Sequence, residues 1–179
     1  MLLAADDCVL LVVDIQERLA PAISGGTEVI ARTDILLAAA ARLGVPVVAT
    51  EQYPKGLGHT DRRLDLPETT PTFAKLDFSA AAEPSIVAHL RELDRRRAVL
   101  CGMETHVCVL QTALGLRTLG YEVAVVADAV GSRHPERRQL GLERMRDAGV
   151  AIVDSEMVVF EWLGAAGTPQ FKELSRLIR

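Results

Sequence analysis

Asp14 is the first residue whose type and position suggest chemistry. It directly follows an unbroken apolar run, where a carboxylate is costly unless it is paired or hydrogen-bonded. The functional interpretation is a general base or a phospho-acceptor. The alternative is an acidic cap that anchors the loop after the first strand.

Lys75 is one of only three lysines among 20 basic residues, the others being Lys55 and Lys172. Since arginine is this chain's usual cation, a lysine here is less easily explained as a surface group that extends off a loop. An ammonium near a carboxylate and a thiol can hold an ion pair and stabilise a thiolate. Lys75 is therefore a candidate for the same site as Asp14.

Cys108 stands at the predicted start of a helix, where free N–H groups and the helix dipole favour a thiolate and can stabilise an oxyanion. The alternative is an inert buried cysteine, which is our interpretation of Cys8 and Cys101 in the middle of apolar runs. His106 is a poor base for Cys108, because side chains two residues apart do not face each other on a helix.

The elements that must position these residues follow from the hydrophobic pattern. Short apolar runs predict strands at 8–13, 45–49, 71–75, 97–101, 122–126 and 150–153. Amphipathic segments between them predict helices at 28–43, 80–94, 108–119 and 135–148. This alternation predicts one domain over 1–179, a three-layer αβα sandwich with a central, mostly parallel six-stranded sheet of Rossmann-like type.

Ligands bind such sheets beyond the carboxyl ends of the strands. The predicted strands end at Asp14, at Thr50 and Glu51, at Lys75, at the segment 102–108 and at Asp128. We therefore expect Asp14, Lys75 and Cys108 to meet at one edge, beside the irregular segment 51–72, which has the length of a functional loop.

Composition excludes several classes of function. The net charge of −4 argues against a nucleic-acid or anionic-membrane surface, and no apolar run approaches the ~20 residues of a membrane span. Three cysteines do not make a disulfide framework, and no zinc-ligand spacing is present. The start of the chain lacks the basic flank of a signal peptide. We expect a cytoplasmic protein with a small-molecule substrate.

Three segments, 11–16, 73–79 and 102–113, together resemble the isochorismatase-like cysteine hydrolase family, and the segments 50–58 and 127–133 are similar to its isochorismatase domain-containing subgroup. The resemblance implies a catalytic triad of Asp14, Lys75 and Cys108. Cys108 would attack a carbonyl carbon, and Asp14 would take the thiol proton and return it to the leaving group. Lys75 would orient Asp14 and stabilise the negative charges of the thiolate and the carboxylate.

The resemblance also implies a cis peptide between Met103 and Glu104, which turns the Glu104 N–H toward the Cys108 N–H to form an oxyanion hole. Thr105 would hold this turn through its hydroxyl. The candidates for substrate binding are Gln16, Glu51, Tyr53, Phe73 and Thr105. Family members associate, so a homo-oligomer, dimer or higher, is expected.

Departures from the family pattern narrow the chemistry. The metal motif of nicotinamidases has no matching histidine in residues 50–54, and His59 is the only nearby candidate, so we expect no metal and no cofactor. Members that cleave the vinyl ether of isochorismate typically lack the cysteine. A cysteine-dependent hydrolase of an amide or related C–N bond, acting through a thioester, is therefore predicted.

Three alternatives remain at this point. One is a catalytically silent or moonlighting binding protein on the same fold, and another is an isochorismatase-type vinyl ether hydrolase. The third is a receiver domain with Asp14 as phospho-acceptor. It is weakened because Asp6 and Asp7 precede the first strand instead of clustering at its carboxyl end.

Overall fold

The computed structural model describes residues 2–178 and centres on a six-stranded parallel sheet with the strand order β3-β2-β1-β4-β5-β6. The strands are β1 Cys8–Val13, β2 Val47–Gln52, β3 Thr72–Lys75, β4 Arg97–Met103, β5 Glu122–Gly131 and β6 Ala151–Val153. The strand order reverses at β1, which pairs with β2 on one side and β4 on the other. A crevice at the carboxyl ends is expected at such a reversal.

Helices cover both faces of the sheet. They are α1 Gly26–Leu43, α2 Pro54–Leu57, α3 Pro84–Glu92, α4 Leu110–Thr118, α5 Pro135–Asp147, α6 Ser155–Leu163 and α7 Pro169–Leu174, and a π-helical turn, Thr105–Val109, precedes α4. Helices α1, α6 and α7 contribute to the core on one face, and α3, α4 and α5 to the core on the other. The predicted three-layer α/β architecture is confirmed.

Alternation along β1 explains both cores. All six of its residues are buried, with Leu10 and Val12 packed on the α1 side and Leu11 and Val13 on the α4 side. With only 4% aromatic residues, both layers rely on aliphatic side chains. Buried apolar area of this kind is the main favourable term in folding.

The fifth strand continues beyond Asp128 to Gly131, so the prediction that it ends at Asp128 is wrong. The pairing of β5 with β4 shifts register between Leu100 and Gly102 of β4. After this irregularity the two strands pair again, up to Gly131 of β5. The Asp128 carboxylate accepts a hydrogen bond from the Ser155 backbone at 2.8 Å and anchors the start of α6.

Two helix starts also differ from the prediction. The segment from Ala80 forms a separate 3-10 turn, because the residue before Pro84 disfavours helical backbone, and α3 begins at Pro84. Cys108 lies inside the π-helical turn, and α4 begins two residues later, at Leu110. Over residues 2–178, none of the helices is both long and apolar enough to cross a membrane.

Candidate active site

Asp14 and Lys75 form a buried ion pair at the carboxyl edge of the sheet. Asp14 leaves β1 with a φ of 51°, and its Oδ2 accepts a hydrogen bond from Lys75 Nζ at 2.8 Å. The other carboxylate oxygen accepts from Thr50 Oγ1 at 2.7 Å. Both side chains are fully shielded from solvent, so each charge depends on its partners.

Neutral oxygens complete the surroundings of the Lys75 ammonium. It donates to Gln52 Oε1 at 2.6 Å and lies 3.1 Å and 3.3 Å from the backbone oxygens of Phe78 and Asp77. Lys75 is only 2% exposed, which rules out a surface lysine. The ammonium is therefore held by one carboxylate and several neutral acceptors.

Cys108 lies against this pair, with its Sγ 4.0 Å from Gln52 Oε1 and the residue 5% exposed. Burial, together with the negative charge of Asp14, raises the pKa of the Cys108 thiol to about 12, although the positive charge of Lys75 opposes this rise. The resting thiol is therefore protonated at neutral pH. Lys75 favours the thiolate, as expected, but desolvation by burial has the larger effect on this pKa. Stabilisation of a thiolate by the start of the helix stays a prediction.

The turn before Cys108 contains a cis peptide bond between Met103 and Glu104. The Glu104 carboxylate points toward the segment after β5, where its Oε2 accepts hydrogen bonds from the backbone N and the Nε of Arg133, each at 3.1 Å. The oxyanion-hole assignment concerns the main-chain N–H groups of Glu104 and Cys108 and stays a prediction.

The expectation that the Thr105 hydroxyl holds this turn is wrong. Thr105 is fully buried, yet within residues 2–178 its Oγ1 has no hydrogen-bond partner. The turn is closed by the Glu104 carbonyl, which accepts from the backbone N–H groups of Val107 and Val109.

Gln16, a predicted substrate-binding residue, is fully buried and its amide is engaged with backbone. Its Nε2 donates to the carbonyl oxygens of Gln52 and Gly58, and its Oε1 accepts from the Gln52 N–H. These bonds fasten the end of β2 and the loop after it. The Gln16 side chain therefore holds backbone in place and does not present its amide to a substrate.

Glu51 lies on the opposite face of the sheet from the Asp14–Lys75 pair, because side chains alternate along β2. Its carboxylate accepts from the Thr60 backbone and hydroxyl and contacts His59 Nδ1 at 3.0 Å. Burial raises the pKa of Glu51, but these hydrogen bonds outweigh it and hold the pKa below its usual value. Glu51 therefore anchors the loop and does not face the thiol.

Tyr53 and Phe73 flank the site in different ways. Tyr53 follows Gln52, is 51% exposed, and its N–H donates to the Lys75 carbonyl at 2.9 Å. Phe73 shares the face of Lys75 but lies two residues earlier in β3, with its ring 5.4 Å from that of His89. Tyr53 is thus placed near the rim, whereas Phe73 packs on α3.

Sequence reasoning missed Thr50 and Gln52, which both contact the ion pair. The signal that could have identified them is strand alternation, since residues 50 and 52 share a face if β2 continues past 49. Over residues 2–178, no three His, Cys, Asp or Glu side chains group as metal ligands.

The fold and the site define a class of α/β protein in which a carboxylate, an ammonium and a thiol meet at the carboxyl edge of a parallel sheet. The isochorismatase domain model matches residues 8–157, and the chain belongs to the isochorismatase family.

Known proteins support this membership. Isochorismatase domain-containing protein 1 from Salmo salar is 42% identical over 167 residues, which cover 93% of this chain and 59% of the relative. The chain thus spans less than two thirds of that relative's length.

Solved structures share the fold. The MAR1 ribonuclease from Caenorhabditis elegans is 38% identical, with a TM-score of 0.93 over 99% of this chain and 92% of the other. The YcaC gene product from Escherichia coli, described as an octameric hydrolase of unknown specificity, is 22% identical, with a TM-score of 0.91 over 99% and 90%.

Proposed function

We propose that the protein is a cysteine hydrolase that cleaves an amide or related C–N bond of a small molecule through a thioester. The observation that carries the proposal is the buried Lys75–Asp14 ion pair against the Cys108 thiol. A buried ion pair is a poor way to gain stability, so its placement beside a thiol favours a role in chemistry. Membership in a family that includes hydrolases supports the same class.

In the first half-reaction, the sulfur of Cys108 attacks the carbonyl carbon while its proton passes to Asp14. The carbonyl oxygen gains the negative charge, for which the N–H groups of Glu104 and Cys108 are the proposed donors. Asp14 then gives the proton to the leaving nitrogen, the C–N bond breaks, and an acyl-thioester on Cys108 remains.

In the second half-reaction, water attacks the thioester carbon and passes a proton to Asp14. The C–S bond breaks, the acid is released, and Asp14 returns the proton to the sulfur. Each cycle thus consumes one water and restores the thiol and the carboxylate. Lys75 takes no part in these proton transfers and faces the negative charge, whether it lies on Asp14 or on the sulfur.

The raised thiol pKa fits this order of events. A thiol that holds its proton up to about pH 12 needs a base at the moment of attack, and Asp14 acts directly on it. A permanently ionised thiolate would need no such base. The site is therefore best suited to a proton transfer coupled to attack on a bound substrate.

The alternatives predict different reactions. A binding protein would hydrolyse nothing, and a vinyl ether hydrolase would not need Cys108. The ribonuclease named above adds RNA to the candidates, although a net charge of −4 disfavours a polyanion. We therefore propose the small-molecule C–N hydrolase and include the other substrates as outcomes of the test.

The test is a panel of amides, ureides, a vinyl ether and an RNA oligonucleotide, assayed with the unmodified protein, Cys108→Ala and Asp14→Asn. We expect turnover of a C–N substrate that falls by at least about 10³-fold in both variants. Cys8→Ala, at the far end of β1, is the control that keeps its activity. Turnover that survives Cys108→Ala would reject the cysteine mechanism, whichever substrate is cleaved.

Self-association and a cytoplasmic location remain predictions. The octameric description of the YcaC protein supports association, and large apolar side chains such as Leu140 and Phe160 are exposed. Light scattering after gel filtration is expected to give a mass of at least two chains, and a monomer at micromolar concentration would contradict this.

A further inference from the structure

The side-chain amide of Gln52 lies between Lys75, at the end of β3, and Cys108, in the turn before α4. Its Oε1 accepts from Lys75 Nζ at 2.6 Å and lies 4.0 Å from Cys108 Sγ. The residue is 7% exposed, so this oxygen interacts in a site from which water is largely excluded. No role had been predicted for Gln52 from its residue type.

The orientation of this amide is fixed from both ends. Its Nε2 donates to the Leu76 carbonyl at 2.8 Å, which turns Oε1 toward the ammonium and the sulfur. The backbone of Gln52 is fastened by Gln16, which binds both its N–H and its carbonyl. The reverse orientation of the amide would place an NH₂ group against the Lys75 ammonium, so the charge selects the observed one.

We propose that Gln52 is a positioning residue that holds the Lys75 ammonium between Asp14 and Cys108. The inference rests on the proposed function, because it assigns Gln52 a part in the same proton transfer. Gln52 forms no covalent bond in the reaction and exchanges no proton with the substrate. It acts through Lys75.

The charge movement in the mechanism explains why such a residue is needed. When the thiol proton passes to Asp14, negative charge leaves the carboxylate and moves toward the sulfur and the substrate. The Lys75 ammonium must stay near both the Asp14 carboxylate and the Cys108 sulfur, although in the resting state only Asp14 carries a negative charge that attracts it. The Gln52 oxygen draws it toward the sulfur and is itself uncharged.

The neutrality of Gln52 separates it from its carboxylate analogue. A Glu side chain would keep the acceptor near Lys75 but place a second negative charge about 4.0 Å from Sγ. It would also lose the donor to the Leu76 carbonyl. Like charge near a thiol disfavours the thiolate, so the change works against attack by the sulfur.

The experiment measures alkylation of Cys108 by iodoacetamide between pH 6 and 11, resolved by mass spectrometry of the peptide. Gln52→Met removes both amide bonds at similar volume, and Gln52→Glu keeps the shape but adds charge. We expect about tenfold slower alkylation at pH 8 for Gln52→Met, the size of one hydrogen bond to a charged group, with the rate–pH curve moved to higher pH. Gln52→Glu is expected to move it further.

Gln139→Met is the matched control, since Gln139 is exposed on α5 and bonds only to Glu143 among residues 2–178. Its curve is expected to overlay that of the unmodified protein. If Gln52→Met loses its cooperative thermal transition, Gln52→Glu decides. Curves for both Gln52 variants that coincide with the unmodified protein would overturn the inference.

Asp14→Asn distinguishes this failure from failure of the proposed function. Because the Asp14 charge raises the thiol pKa, its removal is expected to move the alkylation curve to lower pH. If Asp14→Asn has that effect and the Gln52 variants have none, only the Gln52 role fails. If Asp14→Asn also has none, the coupling of Asp14 to Cys108 fails with it.

Discussion

Lys75 and Asp14 show how a costly arrangement can be kept at a site. Each charge is fully shielded, so removing one partner leaves the other without a counter-charge in a low-dielectric region. The same contacts make the pair sensitive to substitution. The hydrogen bonds from Thr50 and to Gln52 add partners but no charge.

A double-mutant cycle measures this dependence. Lys75→Met and Asp14→Asn are each expected to lower the free energy of unfolding by about 3–5 kcal/mol, whereas the double variant loses clearly less than the sum. The measurement is urea unfolding followed by circular dichroism. The pair Arg42–Glu173, exposed on both sides, is the control, with a coupling of at most about 1 kcal/mol. If the coupling energy of Lys75 and Asp14 equals that of Arg42 and Glu173, the Lys75–Asp14 contact does not behave as a buried ion pair.

At the residue scale, the sequence predicts that Asp14, Lys75 and Cys108 share a site, but it does not predict what each residue around them does. Asp14, Lys75 and Cys108 could be identified because their types are unusual where they stand. Gln16 and Glu51 have the same polar character, yet one binds backbone and the other faces the opposite side of the sheet. Hydrogen-bond targets depend on distant chain segments, so residue type alone does not give them.

At the scale of elements, β1 and β4 approach each other closely next to the site. Gly102 pairs with Val13 and has a φ of 120°, and a Cβ built on it would lie 2.0 Å from the Val13 carbonyl oxygen. Val13 precedes Asp14, and Gly102 lies two residues before Glu104. The spacing of these two strands therefore sets the distance between Asp14 and the turn that carries Cys108.

Gly102→Ala tests this close approach against Gly120→Ala. Gly120 also has a positive φ, 93°, but a Cβ there meets nothing within 4 Å. Both variants carry backbone strain, and we expect Gly102→Ala to lose about 2 kcal/mol more because it also forces β1 and β4 apart. Unfolding free energies in urea give the comparison. Equal losses would show that the strands adapt to the methyl group.

The strands show what the apolar pattern of a sequence can and cannot predict. It predicts all six strands, because buried parallel strands are continuous apolar runs. Strands β2 and β5 continue beyond their predicted ends, since Gln52 and Asp128 are polar and accept hydrogen bonds from partners far along the chain. Ligand sites of such folds lie at the carboxyl ends of the strands. The apolar pattern is therefore least informative for the residues that form the site.

At the scale of the whole molecule, the three buried thiols link stability to alkaline pH. Burial raises the pKa of Cys8 to about 11 and that of Cys101 to about 12, and burial together with Asp14 raises that of Cys108 to about 12. The ordinary pKa of a cysteine thiol, taken for the unfolded chain, is 9.0. Since the folded state keeps these protons longer, their stabilising contribution is complete below pH 9 and is lost as pH rises from 9 toward 11–12.

Each thiol is expected to steepen the fall of the unfolding free energy by up to about 1.4 kcal/mol per pH unit above pH 9. Cys101→Ala should therefore show a shallower decline between pH 9.5 and 11 than the unmodified protein, measured by urea unfolding in the presence of a reductant. Val99→Ala, equally buried in β4, is the control. It is expected to lower stability at every pH and leave the slope unchanged, because a valine does not titrate. If Cys101→Ala leaves the slope of unfolding free energy against pH unchanged, the Cys101 thiol has the same pKa in the folded and unfolded states. Its burial would then not make stability depend on pH.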